Sequence, residues 1–274
     1  FIGQAVGADA ISGLALTNPL MAISAAFGAM VGIGGSTLMS IRLGQKDYKA
    51  AHAILGNVIV LNVIIGLTLG LVLELNIDSI LRLFGASDRT LPHARAYMQI
   101  LLFGNVFTHM YYGLNAQLRS TSRPMYAMYA NIGTVAINTI LAYLFVMRLD
   151  WGIAGAAWST LIAQMCALCW QFWLFSRKDS PVRLLRRYLR PQLRIMKEVL
   201  TIGLPQFLIN TTTSLVAITN MRSMAEYGGD TAVGAYGIVN RLAMFMAFVV
   251  MGLDQGMLPI AGYNFGAQKF YRLE

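Results

Sequence analysis

The sequence predicts an all-α fold, a polytopic transmembrane helix bundle in which two pseudo-symmetric six-helix lobes would make up the parent protein. Three observations predict it. First, 57% of the 274 residues are hydrophobic and only 12% are charged, too few charges to clothe a soluble core of this size. Second, the charges fall in short patches. They leave uncharged runs long enough to cross a hydrocarbon layer of roughly 30 Å with about 20 helical residues. Third, residues 7–50 repeat at 229–272, displaced by 222 positions without a gap.

The repeat pairs Gly7 with Gly229, Asn18 with Asn240, Ala25 with Ala247, Gly34 with Gly256 and Gly44 with Gly266. Conservative pairs such as Leu38/Ile260 and Tyr48/Phe270 reinforce it. Both copies share one plan: a Gly-rich turn, a long apolar run with a single Asn, then glycine followed by lysine and aromatic residues. A self-match at so long a period bears on the whole architecture.

Taken in order, a turn at Gly7-Ala8-Asp9 leads into a first apolar run at 11–41, where Gly28, Gly32, Gly34 and Gly35 admit close backbone approach. A polar loop at 42–49 precedes the second run, 53–73. The connection at 84–92 leads to the third, 96–118, which carries Asn105, His109, Asn115 and Gln117. A basic turn ending in Pro124 starts the fourth run, 125–147, with Asn131, Thr134 and Asn138 on one face. The fifth, 153–175, is bracketed by Trp151 and Trp173. Those 22 residues span about 33 Å of helix, the separation of two interfacial aromatic belts.

The segment 176–198 holds eight Lys and Arg and reads as a basic, solvated linker. The sixth run, 199–221, opens with Gly203-Leu204-Pro205; a loop at 222–230 separates it from the seventh, 231–263, within the repeat. The predicted units are therefore an amino-terminal lobe at 1–175, a cytoplasmic linker at 176–198 and the start of a carboxy-terminal lobe at 199–274.

Loops at 42–49, 119–123, 176–198 and 263–272 hold 15 Lys and Arg, and those on the opposite side hold 5. Excess positive charge marks the cytoplasmic side, so the net charge of +9 signals orientation, not a nucleic-acid partner. Six crossings separate the two copies, which makes the repeat parallel, about an axis along the membrane normal. The chain begins without Met and ends just after the second copy, as an internal piece would. Cys166 and Cys169, one helical turn apart, read as small apolar fillers.

Polar residues within spans are candidate functional groups, because lipid penalises them. The sixth run carries Gln206, Asn210 and Thr213 on one face, and the seventh carries Asp254 and Gln255. Asp254 is the carboxylate lying deepest in an apolar run and needs a partner or a proton. His109 reads as a hydrogen-bonded structural histidine. No metal-ligand cluster, phosphate loop or catalytic triad is visible, so the chain does not read as an enzyme and needs no cofactor.

Several stretches resemble the multidrug and toxic compound extrusion (MATE) family. They include Gly7-Ala8-Asp9-Ala10, Leu43-Gly44-Gln45, Leu118-Arg119-Ser120-Thr121 before Arg123-Pro124, Gly152-Ile153-Ala154-Gly155-Ala156-Ala157-Trp158, Gly203-Leu204-Pro205, and Pro259-Ile260-Ala261-Gly262-Tyr263-Asn264-Phe265-Gly266. The resemblance covers essentially the whole chain and implies helices two to eight of a twelve-helix, two-lobed antiporter. It implies export of amphipathic or cationic small molecules against sodium ions or protons, by a monomer in the bacterial inner membrane. On the family pattern Asn138 and Thr160 belong to an amino-lobe cation site whose acid position is Ala142 here, and Asn115 falls where related carriers touch substrate. Asn131, Asn210, Asp254 and Gln255 complete the candidate set. The alternatives are a lipid-linked oligosaccharide or lipid flippase of the same superfamily, which would want a cationic cleft, and a membrane-embedded transferase, which would want clustered acids or histidines.

Overall fold

The structure, a computed structural model, describes residues 8–83, 88–121 and 123–273. The expectations placed on residues 1–7, on 84–87 within the predicted connection, and on the side chains of Asn18, Asn240 and Arg241 lie outside the described residues.

Among the described residues every regular element is helical. The helices are α1 (Ala8–Gly44), α2 (Tyr48–Leu75), α3 (Ile77–Leu83), α4 (Leu91–Phe103), α5 (Asn105–Ser120), α6 (Pro124–Ala142), α7 (Gly152–Ser176) and α8 (Leu193–Gly266). A π-helical turn, Tyr143–Arg148, extends α6. Among the described residues, six stretches are long and apolar enough to cross a membrane: Leu20–Gly44, Tyr48–Leu75, Pro124–Arg148, Gly152–Ser176, Leu193–Val216 and Leu242–Gly266. Trp151 and Trp173 stand exposed at opposite ends of α7, as two interfacial belts require.

The third predicted span is broken. Gly104 separates α4 from α5, and a Cβ there would collide with Leu161 of α7. Glycine is a poor helix former and allows this close packing. The two short helices still make one crossing between them. On the outer side, Gln99 of α4 donates to Glu74 at 2.9 Å and Arg95 pairs with Asp78 at 3.1 Å. At the far end Ser120 of α5 donates to the Ser36 carbonyl of α1 at 2.9 Å.

The predicted loop at 222–230 is also corrected: helical backbone continues from Leu193 to Gly266. The run nevertheless doubles back. Gly34 packs on Val199, Gly203 on Met30, and Phe207 on Phe27 at 4.8 Å, so the first part of α8 runs antiparallel to α1. The last part also meets α1, with Gly44 against Tyr263 and Gly266 against Ile41. Val199 and Tyr263 would lie about 96 Å apart on a straight helix, whereas Gly34 and Gly44 are about 15 Å apart. Two spans in opposite directions therefore hold, joined between Val216 and Leu242.

The lower contact has the symmetry of the repeat. Gly44 meets the carbonyl of Tyr263, which is Ile41 displaced by 222; Gly266, the displaced Gly44, meets the carbonyl of Ile41. A Cβ on Gly262, the displaced Ser40, would lie 3.0 Å from the Ser40 Cβ. Each surface meets its own copy, as at a two-fold axis. Farther out the helices part: Gly252 and Gly256 would meet nothing within 4 Å of an added Cβ.

The basic linker is packed, not a solvated hinge. Val182 is fully buried, Tyr188 lies over Gly56 of α2, and the backbone N–H of Gln192 donates to Asn57 at 2.7 Å. Apolar residues interleaved among the arginines supply this anchor. Arg123–Asp179 (3.4 Å), Arg177–Asp179 (3.0 Å) and Arg42–Glu198 (3.6 Å) gather the basic segments on one side. Partial desolvation alone would raise the Asp179 carboxyl, but its backbone hydrogen bond and the Arg177 and Arg123 guanidiniums hold it below its ordinary value.

Two apolar clusters fill the bundle. The larger, near the basic side, joins Leu38, Leu55, Leu114, Leu174, Phe175 and Val199; the outer one joins Leu20, Leu73, Leu81, Met98, Leu102 and Ala157. A polar layer lies between them.

Candidate functional site

That layer surrounds a cavity of about 150 Å³ between α1, α4, α5 and α7, lined by Ser24, Asn105, Thr108, His109, Thr160 and Gln164 among apolar neighbours. The predicted pair meets at its edge: Asn138 of α6 donates to the Thr160 hydroxyl of α7 at 2.9 Å. Thr108 donates to Gln164 at 2.6 Å. Thr160 itself donates to the Ala156 carbonyl at 3.0 Å, so the pair is ordered through helix α7. Neighbouring amides and hydroxyls offer oxygen ligands to a small cation, but Ala142 puts no carboxylate on the same face.

Asn115 and Asn131 form a second group nearer the basic side. Asn115, 4% exposed, donates to Asn131 at 3.0 Å and to the Ala127 carbonyl at 3.1 Å. The Tyr111 hydroxyl donates to the same Asn131 oxygen at 2.8 Å, and Arg119 donates to Asn115 at 2.6 Å. Arg119 then borders a cavity of about 340 Å³ facing Gln255, Pro259, Tyr263 and Asn264 of the second span of α8. This cleft lies beside the crossing of the repeat copies and has the size of a small-molecule site.

The remaining candidates do not converge. Asp254 lies exposed on the second span with no ion-pair partner among the described residues. Asn210 accepts from Gln206 at 3.2 Å on the first span. The sequence reading missed one group. Arg119 lies in the basic turn that the sequence predicts, yet its guanidinium reaches back into the cleft, and its position four residues after Asn115 is the signal that could have found it. His109 is the buried, hydrogen-bonded histidine that the sequence predicts, 3.1 Å from Ser24, and it also lines the outer cavity.

With this geometry in view, comparison with known proteins decides the family. The model of the family described as MatE matches residues 1–144 and 205–274. This chain belongs to the MatE family. It is 30% identical over 269 residues to the multidrug export protein MepA of Staphylococcus haemolyticus, a match covering 98% of this chain and 59% of MepA. MepA of Staphylococcus aureus is 29% identical over the same length. The chain thus spans about three-fifths of these relatives. Among solved structures, an outward-facing multidrug resistance MATE family transporter superposes with a TM-score of 0.90 at 25% identity, covering 95% of this chain and 58% of that one. A MOP superfamily transporter from Pyrococcus furiosus, described as having a binding pocket of reverse polarity that suggests a different function, gives a TM-score of 0.91 at 25% identity, with 97% and 59% covered.

The MATE resemblance read from the sequence is borne out, as is the all-α transmembrane fold. This MatE protein is a transporter-family member, not an enzyme, and a multi-pass protein of the bacterial inner membrane.

Proposed function

We propose that this MatE chain carries the amino-terminal lobe (1–175), the linker (176–198) and the first two spans of the second lobe (199–274) of a secondary active multidrug exporter. It would act as a monomer, antiporting amphipathic or cationic compounds against sodium ions or protons by alternating access. The observation that carries this reading is the crossing of the two repeat copies. They touch through Gly44 and Gly266 at the basic side and separate beyond Gly256, leaving a cleft of about 340 Å³ beside them. Closure on one side and divergence toward the other is the geometry that a rocking pair of lobes needs. Gln255 would meet substrate there, with Asn115 and Asn131 positioned behind Arg119 in its wall; Asn138 and Thr160 would serve the coupling ion, and Asp254 would carry charge that the ion neutralises.

Efflux of a fluorescent cationic dye from proteoliposomes of the full-length transporter, under an imposed sodium or proton gradient, tests this. Efflux should follow one of the two gradients, and Asp254→Asn should weaken that dependence. Absence of efflux under both gradients would overturn the reading. One observation favours the flippase alternative: the half-buried Arg119 faces the cleft, where it would suit an anionic headgroup. Transport of a pyrophosphate-linked lipid in place of the dye would select it.

A further inference from the structure

His109 is 2% exposed, and its hydrogen-bonding pattern fixes its tautomer. Gly66 of α2 can only accept, and Asn105 of α5 donates to it through Nδ2 at 3.1 Å. The Asn105 amide oxygen therefore points the other way and receives the Ser24 hydroxyl of α1 at 2.8 Å. The single hydroxyl hydrogen of Ser24 is thereby used. Its oxygen lies 3.1 Å from His109 Nε2, and it can only accept, so Nε2 carries the imidazole hydrogen. His109 Nδ1 is left as a bare lone pair, buried and without a hydrogen-bond partner. It faces Gly28, where a Cβ would come within 3.1 Å. Both residues line the cavity of about 150 Å³.

We propose that His109 Nδ1 is a proton-binding site of this bundle, reached through water in that cavity. A space of this size has room for water, and Ser24, Thr108, Thr160 and Gln164 in its mostly apolar wall can bond it. Nδ1 is closed to water in this structure, so the cavity must widen at Gly28 before water delivers the proton to Nδ1 and converts imidazole to imidazolium. Nε2–H continues to donate to Ser24, and the new Nδ1–H then donates to the water that has entered beside it. The surroundings set when this happens. α1 presents Ser24 and Gly28, α2 the Gly66 carbonyl, α4 Met98, Leu101 and Leu102, α5 Asn105, Thr108 and Tyr112, and α7 Thr160 and Gln164. Among the described residues, Tyr112 is the other titratable group on this wall, and no Asp, Glu, Lys or Arg lines it.

The imidazolium therefore has only dipoles and water as partners, and proton occupancy follows hydration of the cavity. Because Ser24 belongs to α1, the helix that crosses its repeat copy, a proton on His109 is felt by the element that closes the basic side. In this consequence for coupling, the inference rests on the exporter reading; the proton site itself does not.

The three histidines are His52, His93 and His109. In the full-length transporter, histidines elsewhere and His52 and His93 are replaced by Gln, leaving His109 as the only ring. ¹⁵N-histidine NMR in lipid nanodiscs then reads its protonation from about pH 4 to 9. The expected result is an Nε2–H imidazole at high pH that converts to imidazolium as pH falls, and Ser24→Ala should mix the two tautomers. A ring held as Nδ1–H, or one that stays neutral throughout, overturns the proposal.

A second readout concerns coupling. His109→Gln should cut dye efflux driven by a pH gradient on the order of tenfold and flatten its pH profile. An unchanged profile beside a titrating ring overturns the coupling role. A wild-type transporter that moves no dye refutes the exporter reading, while the NMR arm still decides the proton site.

Discussion

The two copies of the repeat, residues 7–50 and 229–272, share a glycine plan but occupy different surroundings. In the first, Gly34 is pressed under Val199, and a Cβ on Gly32 would lie 3.5 Å from the Ala116 side chain, while the Gly32 carbonyl receives Gln117 at 3.4 Å. In the second, the equivalent Gly256 meets nothing within 4 Å, and the position of Gly32 is taken by the exposed Asp254. A carboxylate at position 32 would be buried against α5 without a partner; at position 254 it is tolerated because nothing packs on it. Equal backbones therefore carry unequal chemistry. The copies act alike only where they touch each other.

The largest expected effect comes from making the same change in both copies. Gly34→Ala places a methyl against the Val199 carbonyl and should destabilise this chain by about 1–3 kcal/mol, the usual cost of overpacking. Gly256→Ala should change stability by no more than about 0.5 kcal/mol. Thermal unfolding of the two variants in the same detergent measures the difference. Equal losses would mean that the second copy is packed as tightly as the first.

A smaller effect is expected outside the repeat, at the ion pairs tying the basic segments together. Asp179 has a folded value below its ordinary 3.8. Its contribution is therefore present above that ordinary value and is lost as pH falls through the lower folded one. Asp179 is about half exposed, so solvent screens its ion pairs. Asp179→Asn should lower the unfolding midpoint slightly at neutral pH, and the gap to wild type should close under acid. A gap that persists at low pH would assign the effect to packing of the linker.

Much of the fold was legible because hydrophobicity and charge are written residue by residue. Six spans follow from apolar run length, and their sidedness from lysine and arginine placement. The symmetry axis was legible in the self-match, since Gly44 and Gly266 align before either is placed in space. The break at Gly104 was not, because one glycine in an apolar run is compatible with a continuous helix until Leu161 is packed against it. The loop expected at 222–230 is the gap between two apolar runs, and helical backbone spans that gap.

The candidate site was legible in part. Asn115, Asn131, Asn138 and Thr160 stood out as polar residues in apolar runs, and the structure groups them as Asn115 with Asn131 and Asn138 with Thr160. Which amide meets which depends on helix rotation and is not encoded in spacing. The same limit hid Arg119, whose reach comes from its long side chain. It also hid the tautomer of His109, which follows from hydrogen bonds across three helices.

On the proposed alternating-access reading, the two copies meet at the basic side in one state and separate in another. Ser40 and Gly262 are equivalent positions whose Cβ atoms would stand 3.0 Å apart, close to the roughly 3.5–4.5 Å of a disulfide. Ser40→Cys with Gly262→Cys, in a full-length transporter whose Cys166 and Cys169 are replaced by Ser, tests it directly. Oxidation should cross-link the pair and stop dye efflux, and reductant should restore it. Full efflux from the cross-linked protein would contradict the account.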